Sequence, residues 1–310
     1  MSFLETLLDG NNARERKKKQ LCAIAISVTA LALVIALIAF AICQVVGIST
    51  TDGEEKETAV EEETVDLGET KVIELSEKAV TTGNLLTLND NNRYKGEPDV
   101  INFEDERKKY EAENGGGKAG FISLFDNKDI FEATPDTINA VCKMVTDCNN
   151  ALSDDNLVLL NAYFVNNENN KYSSGETVEI GFCFEGKTNV ENRISIAEDE
   201  KYDWIYDNAY KYGFIAESAK SGVFRYVGKL HATAAKYNGL YLNNYLKALK
   251  NATVESPLKL NESGSYIAYT CSINDVKVPV NYSYEISGNN VDGVIVTVNL
   301  SKSATQNTAQ

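Results

Sequence analysis

The sequence predicts an α+β fold, an antiparallel sheet with helices packed on it, held outside a membrane by one N-terminal helix. Three observations carry this. Residues 21–43 are an apolar run without a charged side chain. The stretch Pro135–Leu152 has apolar residues at helical spacing and is followed by runs rich in β-branched and aromatic residues. From Ser265 onward, short alternating blocks separated by Gly and Asn predict a small β appendage at the C-terminus.

The chain has 310 residues and a formal net charge of -15. Its isoelectric point of about 4.7 excludes a nucleic-acid partner, because phosphate recognition needs clustered Lys and Arg.

As a helix, residues 21–43 reach about 34 Å, enough to cross a bilayer, and the transmembrane segment is assigned to residues 21–46. The preceding tail, residues 1–20, carries Arg14, Arg16, Lys17, Lys18 and Lys19, while the chain after the helix is acidic. The positive-inside rule therefore puts the N-terminus in the cytoplasm and the rest outside, as a single-pass cell-membrane protein. The apolar run is too long for a cleaved signal peptide, despite Ala39-Phe40-Ala41. Residues 47–79, dense in Asp and Glu and without aromatics, read as a disordered acidic tether.

Residues 80–250 form the predicted main domain, and residues 251–303 the β appendage. Residues 83–94 read as a strand leading into an Asn-rich turn. Gly115-Gly116-Gly117-Lys118 lacks the earlier Gly and the Ser or Thr of a phosphate loop, and reads as a plain loop. Thr134 and Pro135 supply an N-cap and a first-position proline for the helix Pro135–Leu152. Residues 157–165 and 177–184 are strands, residues 202–212 a helix stopped by Gly213, and residues 229–237 and 243–250 two more helices. Blocks 265–271, 282–287 and 294–300 are the strands of the appendage.

Cys22 and Cys43 fall in the membrane span. Cys142, Cys148, Cys183 and Cys271 lie where disulfides are permitted, yet their spacing defines no framework and reads as buried thiols. Four glycosylation sequons, at Asn251, Asn261, Asn281 and Asn299, matter only in a eukaryotic secretory pathway.

Residues 204–215 (WIYDNAYKYGFI), 224–228 (FRYVG) and 239–246 (GLYLNNYL) form an ordered set of motifs. With them, the chain from about residue 83 to 246 resembles the VanY-type D-alanyl-D-alanine carboxypeptidases. These are bacterial zinc enzymes sharing the α+β fold of hedgehog signalling domains and other D-Ala-D-Ala peptidases. The tail segment SGNNVDGVIVTV, residues 287–298, is similar to an extension on some members.

What the resemblance implies about the site is a loss. The family's zinc is held by two histidines and an aspartate, but this chain has one histidine, His231, which the resemblance leaves outside the ligand set. Gly175 keeps the register of the first ligand motif, so Tyr172 takes the first histidine position and Glu179 the aspartate position. The second histidine position holds Val223, and the catalytic glutamate position holds Lys220, in a segment shorter than usual. Phe164 stands where an arginine grips the substrate carboxylate. No zinc or other cofactor is therefore expected, nor any catalytic or metal-binding residue.

The expectation is an extracytoplasmic pseudoenzyme of the cell wall. Its former groove, lined by Tyr163, Phe164, Tyr172, Glu179 and Arg225, would hold a peptidoglycan stem peptide or a protein partner without hydrolysing it. Two alternatives stand beside it, an active D-Ala-D-Ala carboxypeptidase and a purely structural or interaction ectodomain.

Overall fold

A computed structural model describes residues 65–114, 131–154, 156–164, 169–183 and 193–303. The basic tail, the expected transmembrane segment 21–46, the first part of the expected acidic tether and the loop at Gly115 lie outside the described residues. Among the described residues, no helix is long and apolar enough to cross a membrane.

In chain order the elements are β1 (Thr70–Ile73), β2 (Ile101–Asn102), α1 (Phe103–Glu113), β3 (Glu132–Ala133), α2 (Pro135–Leu152), β4 (Leu157–Asn161), β5 (Thr177–Cys183) and β6 (Arg193–Ser195). There follow α3 (Asp203–Asn208), β7 (Phe214–Ala216), β8 (Val223–Tyr226), α4 (Lys229–Tyr237) and α5 (Leu242–Asn251). The chain ends in β9 (Leu258–Lys259), β10 (Tyr266–Ser272), β11 (Val276–Pro279), β12 (Tyr282–Gly288) and β13 (Gly293–Ser303).

The central sheet runs β4-β5-β8-β7, with β6 pairing the far half of β5, and every pairing is antiparallel. Because side chains alternate across a strand, Val178, Ile180, Phe214 and Phe224 all turn to one face. There they meet Ile138, Val141 and Val145 of α2 in the main core. This helix starts at its sequence signal: Thr134 Oγ1 accepts the Thr137 N–H at 3.3 Å, with Pro135 next in line. Cys142 and Cys148 are free thiols inside this packing, and burial pushes both up to about 12. Cys183 and Cys271 are likewise free and buried.

Four expectations need correction. Residues 83–94 form no strand. Leu85 N–H bonds the Ser287 side chain and Thr87 N–H bonds Asn289 O, so the backbone is satisfied by a side chain and a turn rather than by a ladder. Residues 202–212 are not one helix but a 3-10 turn (Glu200–Tyr202), α3 and a second 3-10 turn (Ala209–Tyr212), ending at Gly213 with φ 95°. Tyr202 and Tyr212 anchor the two ends to Asp154 and Asp147, at 2.7 and 2.6 Å.

The acidic tether is not extended to its end. β1 pairs β11, and Leu67, Ile73 and Leu75 pack into the core of the C-terminal strands. The few aliphatics of this segment are collected on one surface, which its average composition conceals. Nor is the C-terminal part a separate appendage, since the described residues fall in one compact unit. The sheet β12-β13-β10-β9 shares a second core with α4 and α5 through Ala268 and Ile295. His231 crosses the same seam, its Nδ1 2.7 Å from Tyr245 Oη and its Nε2 3.0 Å from Thr297 Oγ1.

Two outcomes follow. Leu67→Ala is expected to lower unfolding free energy by about 2–4 kcal/mol in urea melts, whereas no change would mean that residue 67 belongs to a loose tether. Burial lowers the His231 imidazole to about 4, so the unfolded chain binds its proton first as the pH drops. Stability from this group is complete above pH 6.5 and falls toward pH 4, by up to about 3 kcal/mol. His231→Asn should remove that part of the acid sensitivity when melts at pH 7 and pH 4.5 are compared.

Candidate functional site: a ligand constellation without its ligands

On the face of the sheet opposite α2, β5 presents Thr177 and Glu179, β8 presents Val223 and Arg225, and β7 presents Ile215. Glu179 is paired with Val223, and Thr177 with Arg225. The turn before β5 brings in Tyr172: the Gly175 N–H donates to Tyr172 O at 3.0 Å, and Gly175 sits at φ 81°, where a Cβ would also run into Val100.

The phenol of Tyr172 donates to Glu179 Oε2 at 2.9 Å. Tyr172 is buried, and its hydroxyl is raised above the usual tyrosine range by burial first and by the Glu179 charge second. It therefore stays protonated and serves as the donor that satisfies Glu179. Lys171 adds a cation, with Nζ 3.2 Å from Glu217 and 5.5 Å from the centre of the Tyr172 ring.

Arg225 does not line an open groove. It is buried, 2.9 Å from the equally buried Glu176, and it also donates to Thr177 Oγ1 at 3.1 Å. Burial pushes the Glu176 carboxyl up to about 7 against the pull of Arg225. The Ser174 hydroxyl donates to the same carboxylate at 3.0 Å.

The other expected residues lie elsewhere. Phe164 packs into the α2-side core, with its ring centre 6.0 Å from that of Phe131. Tyr163 uses its carbonyl to accept the Glu132 N–H at 2.8 Å. Lys220, in left-handed backbone at φ 54°, is exposed and paired with Asp203 at 2.6 Å. The expected groove is closed as well. Leu86 and Leu88 from the N-terminal segment and Leu242 and Leu246 from α5 cover Val223 and Arg225, leaving about 20 Å³, room for a single water.

The residues at the three ligand positions do not fit zinc. Glu179 offers a carboxylate already engaged by Tyr172, Tyr172 holds its proton, and Val223 has no lone pair to give. What the arrangement can do is store a neutral donor against a carboxylate beside a lysine. Reading the sequence alone missed Lys171, Glu176 and Glu217. The first two adjoin the aligned motif and were open to inspection, but Glu217 comes from the end of another strand and carries no local signal.

No protein-family model matches the chain. A D-alanyl-D-alanine carboxypeptidase of Enterococcus faecium is 28% identical over 248 residues, covering 72% of this chain and 78% of the relative. Among solved structures, the vancomycin-resistance D,D-dipeptidase VanXYg, in complex with a D-Ala-D-Ala phosphinate analogue, aligns with TM-score 0.52 at 21% identity. That alignment covers 74% of this chain and 99% of the other. The LdcB LD-carboxypeptidase aligns with TM-score 0.31 at 16% identity over 54% of this chain and 84% of its own, too little to assign a fold. By sequence the chain is similar to a D-alanyl-D-alanine carboxypeptidase, and by fold it is similar to the D,D-dipeptidase VanXYg.

Proposed function

We propose that this chain is a catalytically silent descendant of the D-alanyl-D-alanine carboxypeptidases that binds peptidoglycan stem peptide at the outer face of a membrane. The observation that carries the loss of catalysis is the Tyr172 to Glu179 hydrogen bond beside Val223. A three-ligand zinc site with even one ligand removed is usually disabled, and here an imidazole is absent from both histidine positions. The sequence relative and the D-Ala-D-Ala analogue bound by VanXYg support the ligand class. Residues 21–46 serve as a single-pass anchor, with the acidic segment after them holding the domain off the bilayer.

A purely structural or interaction role is the second reading, and the filled site favours it, since the leucines over Val223 leave no room there for a peptide.

Metal analysis and a D-Ala release assay on the purified protein test the first part. The expected result is no stoichiometric zinc and no D-Ala from a stem pentapeptide. Stoichiometric zinc with chelator-sensitive release would overturn it. The triple change Tyr172→His, Glu179→Asp and Val223→His is expected to gain one zinc per chain, which checks the register on which the assignment rests. Calorimetric titration with the pentapeptide separates binding from a structural role, and no heat at millimolar peptide would remove the binding reading.

A further inference from the structure

A cavity of about 400 Å³ lies on the side of the domain, between α3, α4, the turn after α4 and the edge strand β7. It is within the range of small-molecule sites, and none of Tyr172, Glu179 or Val223 lines it. Part of its wall is small or apolar, with Ala209, Ala216, Ala219, Ala232 and Leu240, and the rest is aromatic or charged.

Two properties select its occupant. The first is backbone. Glu217 N–H donates to Val223 O and Val227 N–H to Gly213 O, so residues 213, 215 and 217 turn toward β8. Phe214 and Ala216 therefore point their N–H and C=O groups away from the sheet, at the end of the strand order. Phe214 is buried, but Ala216 is partly exposed, and no hydrogen bond to its outward groups is found among the described residues. A donor and an acceptor on one edge residue match one residue of an extended peptide, which exchanges both bonds with it.

The second property is charge. Lys220 pairs with Asp203 at 2.6 Å, and Lys236 with Asp207 at 3.3 Å, all on the cavity wall. The lysines are about half exposed, with side-chain exposures of 52% and 45%. Exposed pairs of this kind contribute about 0–1 kcal/mol, so a ligand carboxylate and ammonium can replace the partners at little loss. A ligand with one charge of each sign leaves the cavity neutral.

We infer that this cavity, rather than the emptied ligand site, holds a short extended peptide with small side chains, a free carboxylate and an ammonium group, seated as an added strand on Ala216. The inference rests on the stem-peptide reading and gives it a place. The peptide backbone meets the N–H and C=O of Ala216, its methyl groups lie on the alanine wall, and its carboxylate meets Lys220 or Lys236.

The probe is acetyl-L-Lys-D-Ala-D-Ala, titrated into the full chain in detergent, with hydrogen exchange followed across residues 213–218. Binding should slow exchange in that segment. The exposed positions allow two variants: Ala219→Trp to obstruct the cavity and Lys220→Glu to reverse its charge, each expected to weaken binding about tenfold. Binding that is unchanged in both variants, with no protection of the segment, overturns the inference and leaves the stem-peptide reading standing. If this probe does not bind at millimolar concentration, that reading falls, and tri-L-alanine decides the cavity separately. Protection of residues 213–218 by tri-L-alanine keeps an edge-strand peptide site, and absence of protection by either peptide ends it.

Discussion

The antiparallel pairing of β5 with β8 sets the register from which both faces of the domain follow. With Thr177 opposite Arg225 and Glu179 opposite Val223, the intervening Val178 and Phe224 have to face α2. A slip by one residue would drive Glu179 and Arg225 into that apolar core and expose its aliphatics, which is prohibitive for two charged groups. That register also sets Glu179 beside Val223, within reach of Tyr172. Their proximity follows from packing on the opposite face.

The second face is organised around hydrogen bonds. Where the resemblance places an ion and its ligands, a phenol satisfies a carboxylate, and an aliphatic side chain stands at the third position. A hydrogen bond to a charged group contributes about 1.5–3 kcal/mol, so the Tyr172 to Glu179 bond adds local stability. The Arg225 to Glu176 pair behaves likewise: buried and hydrogen-bonded, it is a connection between β8 and the turn that carries Tyr172.

Legibility in the sequence was uneven, for physical reasons. The helix α2 was readable to its ends because its signals are local, a capping Thr134, Pro135 and a regular apolar stripe. Strands β4 and β5 and the helices α4 and α5 were similarly local. Residues 83–94 were misread because alternation describes side chains, while the partners of Leu85 and Thr87 lie some two hundred residues away, at Ser287 and Asn289. The acidic segment was misread because averaged composition hides Leu67, Ile73 and Leu75 among the carboxylates. Of the site residues, those in one continuous motif, Tyr172, Gly175 and Glu179, were found together. Phe164 and Lys220 were placed by register alone and lie apart from them.

By itself the sequence determined the class of fold, the resemblance to D-alanyl-D-alanine carboxypeptidases and the scarcity of histidine, since composition, periodicity and motif order are properties of the chain. Only the tertiary structure decided that Tyr172 bonds Glu179, that leucines from two distant segments line the small space beside Val223, and that Ala216, on the strand at the end of the sheet order, lines one cavity with Lys220 and Lys236. These depend on which surfaces meet when segments far apart in sequence pack, and the energy of that meeting is written in no single segment.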